Sequence, residues 1–177
     1  MIVVLGPGGQ YNHLIARRVS ELGFSVKLLH LGSPVEDADG IIIGGGPGST
    51  VESAPCIKLP DVPLLGICYG HQLIAKLMGG VVERAKRPEF GPFEITVLEK
   101  DVIFQGIPER FTAWLSHKDE VSVIPPGFLR LASSENCRYQ AIRHEKRDIF
   151  GVQFHPEVSH TQHGMMILKN FLEITKR

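Results

Sequence analysis

Apolar and polar positions in the first half of the chain follow two patterns. Short, nearly continuous apolar runs, typical of strands buried on both faces, occur at residues 2–5, 25–31, 40–44 and 63–67. Residues 12–22 and 70–78 repeat their apolar positions at helical spacing, with Asn12 as the predicted N-cap of the first helix. Strands that alternate with helices predict a parallel sheet covered by helices on both faces.

The second half of the chain predicts strands joined by turns rather than by helices. The strand-like segments are residues 93–99, 110–117, 120–124, 128–134, 139–144 and 149–155. The charged tip at residues 145–148 predicts a hairpin between the last two of them, and residues 164–176 predict a closing helix. We therefore predict one α/β domain over residues 1–177, with a mainly parallel central sheet flanked by helices and additional antiparallel strands.

Composition narrows the class of protein without identifying it. The chain is 43% hydrophobic and 21% charged, and its 19 basic residues balance 19 acidic ones. A neutral chain has no electrostatic attraction to nucleic acid or to an anionic membrane, and no apolar run approaches the ~20 residues of a membrane span. The three cysteines, Cys56, Cys68 and Cys137, form no C-x-x-C pair, so we expect a cytoplasmic protein without disulfides.

The segment Gly66-Ile67-Cys68-Tyr69-Gly70 marks one of these cysteines as a candidate nucleophile. It has the spacing of the G-x-S-x-G nucleophile elbow, with cysteine in place of serine, and lies between a predicted strand and a predicted helix. A thiol there lies at the positive end of the helix dipole, which favours the thiolate. The N–H of Tyr69 is expected to face the same space and to donate to an oxyanion. An isolated cysteine is more often core packing, and we assign that inert role to the other two cysteines.

His155 is the candidate base for this nucleophile. The segment GVQFHPE puts it at the end of a predicted buried strand, and Pro156 is expected to stop the strand because proline cannot donate to a β-ladder. The period of two in a strand would direct His155 and Glu157 to the same side. Because ligands of α/β folds bind at the carboxyl ends of strands, we predict a catalytic set of Cys68 as thiolate, His155 as base and Glu157 as orienting carboxylate.

The glycine-rich segment IIIGGGPGST, residues 41–50, admits two interpretations. Glycine-rich turns after strands can hold phosphate. However, a Walker A motif requires G-K-[ST], the dinucleotide fingerprint requires a helix opening directly from G-x-G-x-x-G, and neither is present. The N–H of Gly46 is the better candidate for a second oxyanion donor.

A metal site is the alternative from a different class of function. His155, Glu157, His160 and His163 lie within nine residues, and H-x-E also occurs in zinc deaminases. Those enzymes need a later P-C-x-x-C for their remaining ligands, and the chain has neither that motif nor H-E-x-x-H. We therefore expect no metal site in this chain.

Three motifs occur here in the order found in one enzyme family. GGGPGS, GICYGHQ and the HPE of GVQFHPEV together resemble the class I glutamine amidotransferases, whose triad is cysteine, histidine and glutamate. The resemblance covers essentially the whole chain. It implies a flavodoxin-like α/β fold and hydrolysis of glutamine through a cysteinyl thioester. It also implies a glutamine site that includes Gly46, Gly48, Gln72, Ser116 and His117.

Finer features are similar to the branch of this family that serves GMP synthesis. They are Tyr69 after the nucleophile, LSHKDEV at 115–121 and HPEVSHTQHG at 155–164, although Lys118 stands where that branch is expected to have glycine. The resemblance implies no cofactor in this chain. It implies a separate ATP-pyrophosphatase subunit that uses ATP and Mg to convert XMP to GMP, since the chain stops at Arg177. Similar glutaminase subunits serve anthranilate, aminodeoxychorismate and imidazole glycerol phosphate synthases, and these remain alternatives.

Overall fold

The computed structural model describes residues 1–177 as nine strands, three α-helices and a one-turn 3-10 helix at Val102–Phe104. The strands are β1 Ile2–Gly6, β2 Val26–His30, β3 Gly40–Ile43, β4 Leu64–Ile67, β5 Val81–Val97, β6 Arg110–Val123, β7 Phe128–Ser133, β8 Ala141–His144 and β9 Ile149–Val152. The α-helices are α1 Asn12–Glu21, α2 Tyr69–Leu77 and α3 Gly164–Ile174. No helix combines the length and the apolar character that crossing a membrane requires.

All nine strands belong to one mixed sheet, in the order β2-β1-β3-β4-β9-β8-β7-β5-β6. The five strands from β2 to β9 are parallel neighbours, and every later pairing is antiparallel. The predicted fold class is confirmed, and β8 and β9 form the predicted antiparallel pair. The antiparallel half is larger than the sequence indicated.

Helices cover both faces of the parallel half, which explains its continuous apolar strands. Along β3, Ile42 belongs to a core of 27 buried residues with α1 and α3, whereas Ile41 and Ile43 belong to a second core of 15 residues with α2. Successive strand residues point to opposite faces, so each face needs its own apolar set. Replacing a buried isoleucine such as Ile42 with alanine is expected to cost ~2–5 kcal/mol.

The segments that follow β4 and β9 lie side by side at one edge of the sheet. These two strands are parallel neighbours with Ile67 paired to Val152, although they lie far apart in the sequence. Cys68 follows β4 directly, and its backbone N–H donates to the carbonyl of Val152 at 2.9 Å. His155 follows β9 three residues later, so the topology brings both predicted residues to the same edge.

The prediction differs from the structure mainly in the long β5–β6 ribbon. β5 begins at Val81 rather than at residue 93. The sequence did not predict this early start, because residues 83–88 are mostly charged and exposed and do not have the alternating pattern of a half-buried strand. β6 is continuous across Lys118, so the two strands predicted at 110–117 and 120–124 are one strand. The pairing of the ribbon is irregular between Arg84 and Glu89.

Asn12 is not the N-cap of α1, which corrects the sequence-based prediction. Tyr11 occupies the N-cap position without a side-chain cap. The buried side-chain amide of Asn12 instead donates to the carbonyls of Gly9 at 2.9 Å and Gly45 at 3.1 Å. Asn12 therefore ties together the glycine turns that follow β1 and β3.

Candidate active site

Cys68 lies at a sharp turn between β4 and α2, as the sequence predicted. Its φ of 53° and ψ of −104° are unusual for a non-glycine residue, and strain of this kind is characteristic of functional turns. The flanking positions must be glycine because a side chain would not fit at either of them. A Cβ on Gly66 would lie 2.5 Å from the backbone of Gly70, and one on Gly70 would lie 2.1 Å from the carbonyl oxygen of Ile43.

His155 and Glu157 form a buried pair beside this turn. Nδ1 of His155 lies 2.7 Å from Oε1 of Glu157, and the two residues are 3% and 1% exposed. β9 ends at Val152, so the pair lies in an irregular segment and the strand periodicity invoked to align it was wrong. Hydrogen bonds hold the segment instead, since the N–H of His155 donates to the carbonyl of Trp114 at 3.0 Å and the Thr161 hydroxyl donates to the carbonyl of His155 at 2.6 Å.

The imidazole of His155 is electrostatically coupled to Cys68 and Glu157. Burial alone would lower its pKa. The neighbouring Cys68 side chain and the hydrogen bond to Glu157, together with the negative charges these groups can carry, instead raise the pKa of His155 well above its ordinary value. Such a ring favours its protonated imidazolium form. The three predicted catalytic residues therefore lie together in space.

The glycine turn after β3 passes close to both reactive side chains. A Cβ on Gly45 would lie 3.2 Å from Cε1 of His155 and 3.6 Å from Cβ of Cys68, so a longer side chain would occupy the space beside them. The backbone N–H of Gly46 has no hydrogen-bond acceptor in the protein. Tyr69 is the first residue of α2, where backbone N–H groups have no intrahelical acceptor. Both predicted oxyanion donors thus have the capacity to bind an anion.

A cavity of about 410 Å³, here called the substrate cavity, opens beside Cys68. The predicted glutamine-site residues all line it: Gly46, Gly48, Gln72, Ser116 and His117. Gln72 is 4% exposed, so it is a buried residue of α2 and not a surface position. Its side-chain amide donates to the carbonyl of Asp119 at 2.9 Å and to Oε1 of Gln153 at 3.1 Å.

Sequence reasoning missed the charged groups of this cavity. Asp119 is 5% exposed, and its Oδ2 accepts a hydrogen bond from the Ser49 hydroxyl at 2.6 Å. Arg84 lies 3.2 Å from Oδ1 of Asp119 and 2.6 Å from Glu52. The alternation of β6 buries His117 and Asp119 and exposes Ser116 and Lys118. This alternation could have indicated from the sequence that Asp119 is buried. It could not have identified the partners of Asp119, because they come from distant segments.

His117 belongs to a second buried network. Its Nδ1 lies 2.8 Å from the carbonyl oxygen of Asp119 and its Nε2 lies 2.9 Å from Oε1 of Glu89. Glu89 also accepts hydrogen bonds from Gln140 at 2.9 Å and from the Ser134 hydroxyl at 2.8 Å. This network lies behind the main chain of residues 116–119, which lines the substrate cavity.

One group of side chains has the chemistry of a metal site. Glu89, His117 and Cys137 are buried, with ligand atoms within 4.8 Å of one another. The carboxylate of Glu89 already accepts three hydrogen bonds from side chains, and burial raises the pKa of the Cys137 thiol, disfavouring the thiolate that binds metals. We interpret the group as a hydrogen-bond network.

The zinc interpretation of the 155–163 segment is not supported by the geometry. His160 packs against Trp114 with ring centroids 4.9 Å apart, and His163 packs edge-on against Phe111 at 6.5 Å. Neither belongs to a cluster of metal-ligating groups with His155 and Glu157.

Comparisons with known proteins agree with this arrangement. A family model described as glutamine amidotransferase class-I matches residues 3–174. The glutamine-hydrolyzing GMP synthase subunit from Archaeoglobus fulgidus is 46% identical over 182 residues, which span 99% of each chain. The protein of the same name from Saccharolobus solfataricus is 47% identical over 180 residues, covering 96% of each chain.

Solved structures agree with the fold. A crystal structure from Thermoplasma acidophilum has a TM-score of 0.88 and 36% identity, and the match covers 99% of this chain and 93% of that chain. A glutamine amidotransferase from Thermotoga maritima has a TM-score of 0.70 over 99% of this chain and 82% of that chain. Its identity of 22% supports the fold alone.

Proposed function

The chain belongs to the class I glutamine amidotransferases, and from that premise we propose that it is the glutamine-hydrolysing subunit of a two-subunit GMP synthase. The convergence of Cys68, His155 and Glu157 beside the substrate cavity supports the glutaminase reaction. The relatives named as glutamine-hydrolyzing GMP synthase subunits, at 46–47% identity over nearly their whole length, support the acceptor.

Cys68 is the nucleophile of the proposed reaction. Its thiolate attacks the side-chain amide carbon of glutamine and forms a tetrahedral intermediate. His155 then gives a proton to the leaving nitrogen, so that ammonia departs and a γ-glutamyl thioester remains. His155 next takes a proton from water, which attacks the thioester and releases glutamate and the thiolate. Glu157 holds the imidazole in the orientation that both steps need.

Backbone N–H groups stabilise the charge that develops in these steps. The oxygen of the tetrahedral intermediate lies between the N–H groups of Gly46 and Tyr69 in this proposal. Their fixed positions favour the transition state because no reorganisation is needed during the reaction. Loss of one such donor typically lowers the rate by ~10²–10³-fold.

The α-amino and α-carboxylate groups of glutamine occupy the charged part of the substrate cavity. Asp119 offers a buried carboxylate to the ammonium group, and Gln72 with the main chain of Ser116 and His117 supplies the polar contacts. Oδ1 of Asp119 already lies 3.2 Å from the guanidinium of Arg84, which shows that this carboxylate accommodates a cationic group at the cavity.

Ammonia passes to a separate synthetase subunit in the proposed assembly. That subunit is an ATP-pyrophosphatase, which uses ATP and Mg to activate XMP and then aminates it to GMP. This chain needs no cofactor for its own step. We place the reaction in the cytoplasm, since all three cysteines are free.

The test is a glutaminase assay of the chain alone and with a synthetase subunit, ATP and XMP. Cys68→Ala is expected to abolish ammonia release under every condition, because it removes the nucleophile. Cys56→Ala is the matched control, since this cysteine is exposed and does not line the substrate cavity, and the activity of this variant should equal that of the wild type. Equal activity in both variants would refute the site, and an acceptor other than XMP would refute the pathway.

A further inference from the structure

Two cavities reach Cys68. Besides the substrate cavity, a second cavity of about 350 Å³ touches the same cysteine. The two share only the lining residues Gly46, Pro47, Cys68 and Ser116. The thiol therefore borders two differently lined spaces, and the reaction described above assigns a ligand only to the first.

The two cavities differ in charge. Glu52, Arg84, Lys118 and Asp119 line the substrate cavity, whereas no aspartate, glutamate, lysine or arginine lines the second cavity. The zwitterionic head of an amino acid needs charged or strongly polar partners when it leaves water, and only the substrate cavity supplies charged ones. Apart from the reacting Cys68 and His155, the second cavity offers only neutral groups, so it suits small neutral molecules.

His155 lines the second cavity but not the substrate cavity. A general acid must lie within hydrogen-bond reach of the atom that it protonates, so the leaving nitrogen of glutamine faces the second cavity when His155 protonates it. The same argument applies to the water that attacks the thioester, because His155 removes its proton. Both small molecules are thus handled in the second cavity, whereas the amino-acid head lies in the substrate cavity.

The loop between β1 and α1 forms the outer wall of the second cavity. The Tyr11 ring covers the imidazole of His155, with centroids 5.3 Å apart and planes tilted by 60°. Gly8 and Gln10 are exposed at the opening. A Cβ on Gly9 would lie 2.3 Å from the carbonyl oxygen of Gly45, so this loop packs directly on the glycine turn and closes the cavity at that point.

We propose that the second cavity is the port through which ammonia leaves the active site and water enters it, separately from glutamine. The inference rests on the proposed glutaminase function and adds the route by which ammonia and water move. The mouth of the port consists of Gly8, Gln10 and Tyr11, so the subunit that consumes ammonia docks over this loop. Glutamine enters through the substrate cavity, which stays open when the port is covered.

Narrowing each opening separately tests the proposal. Gln10→Trp places a bulky ring at the mouth of the port, and Glu52→Trp places one at the rim of the substrate cavity. The first probe is a chloroketone analogue of glutamine, in which the Cys68 thiolate displaces chloride and forms a C–S bond. The second is hydroxylamine, whose nitrogen attacks the glutamyl thioester and releases γ-glutamyl hydroxamate and the thiolate.

The two variants are expected to have opposite effects. Gln10→Trp should reduce hydroxamate formation and thioester hydrolysis several-fold, with glutamyl-enzyme accumulating in intact-mass spectra, while the rate of chloroketone labelling stays at the wild-type value. Glu52→Trp should slow chloroketone labelling and raise the KM for glutamine, while the partition of the thioester between water and hydroxylamine stays unchanged. His13→Trp is the matched control, since His13 is exposed on α1 and does not line the second cavity.

Two results overturn the port. One is Gln10→Trp slowing labelling and hydroxylamine transfer equally, and the other is Gln10→Trp leaving transfer unchanged. A different result would instead refute the proposed glutaminase function. If the wild-type chain forms neither a labelled Cys68 nor a glutamyl thioester, the glutaminase proposal is wrong, and the proposal of the port is then wrong as well.

Discussion

The molecule contains two buried histidine–glutamate pairs of nearly equal geometry. Nδ1 of His155 lies 2.7 Å from Glu157, and Nε2 of His117 lies 2.9 Å from Glu89. The carboxylates are 1% and 0% exposed. Residue type, distance and burial therefore do not separate a candidate catalytic pair from a structural one.

The two pairs differ in what engages the second ring nitrogen. In His117 the other nitrogen faces the carbonyl of Asp119 at 2.8 Å, so both nitrogens are occupied within the protein. In His155 the other nitrogen has no hydrogen-bond partner in the protein, and the ring borders the second cavity together with Cys68. A proton carrier needs a nitrogen that reaches substrate, and only His155 has one.

The largest expected contrast is between the two histidines. His155→Gln should lower kcat for glutamine hydrolysis by at least ~10²–10⁴-fold, because it removes the general acid and base. His117→Gln should act mainly on KM, because it disturbs the main chain beside the substrate cavity rather than proton transfer. Steady-state glutaminase kinetics measure both, and an equal loss of kcat in the two variants would contradict the distinction.

The two carboxylates should separate activity from stability. Glu157→Gln is expected to lower kcat by ~10²–10⁴-fold, because an amide cannot hold the imidazolium in its working orientation. Glu89→Gln should lower the free energy of unfolding by ~3–5 kcal/mol, because it breaks a fully buried pair. Urea denaturation at neutral pH and kinetics at a temperature where both variants are folded provide the readouts. A Glu89→Gln chain with wild-type stability would show that this network is not structural.

The pH dependence of stability should reflect the coupling of His155. Burial lowers its pKa, but the contacts with Cys68 and Glu157 outweigh burial and raise it well above 6.5. The stabilisation is therefore complete below about pH 6.5, the unfolded value, and is lost as pH rises through the folded pKa. The difference in unfolding free energy between the wild type and His155→Gln should shrink as pH rises above about 6.5. A difference that grows with pH would contradict the raised pKa.

A third buried histidine, His71, sharpens the comparison because it has no carboxylate partner. Its ring nitrogens lie near the backbone of Tyr139 and Gly151 without good hydrogen-bond geometry, and burial lowers its pKa to about 3. The folded state therefore loses stability as pH falls from about 6.5 towards 3. His71→Met should reduce that acid-dependent loss while changing stability at pH 7 by only ~1 kcal/mol. Equal acid sensitivity in the variant, measured by urea denaturation, would assign the loss to other groups.

Much of the site could be predicted from the sequence because it depends on local chain geometry. Gly66, Cys68 and Gly70 specify the turn by their spacing alone, and His155 and Glu157 are near neighbours in the chain. The alternation of apolar runs predicted the parallel half of the sheet almost residue by residue. The exposed, charged start of β5 was missed, because a ribbon that extends into solvent does not have a half-buried pattern.

The parts of the site that were not predicted bring together distant segments. Glu89 meets His117 across 28 positions, and Ser49 meets Asp119 across 70. Gln72 has the sequence signature of an ordinary helix residue, and only packing against Gln153 shows that it is buried. No local pattern encodes such contacts.

The amino-acid sequence by itself determined the strands of the parallel half, the strained cysteine turn and the identity of the three reactive groups, because backbone sterics and periodicity act over a few residues. The tertiary structure decided which of two similar histidine–glutamate pairs lies beside the thiol and which has both ring nitrogens occupied by protein groups. It also decided that the thiol borders two cavities, only one of which is lined by aspartate, glutamate, lysine or arginine. These outcomes depend on strand order and on side chains from opposite ends of the chain, and only the folded sheet brings them together.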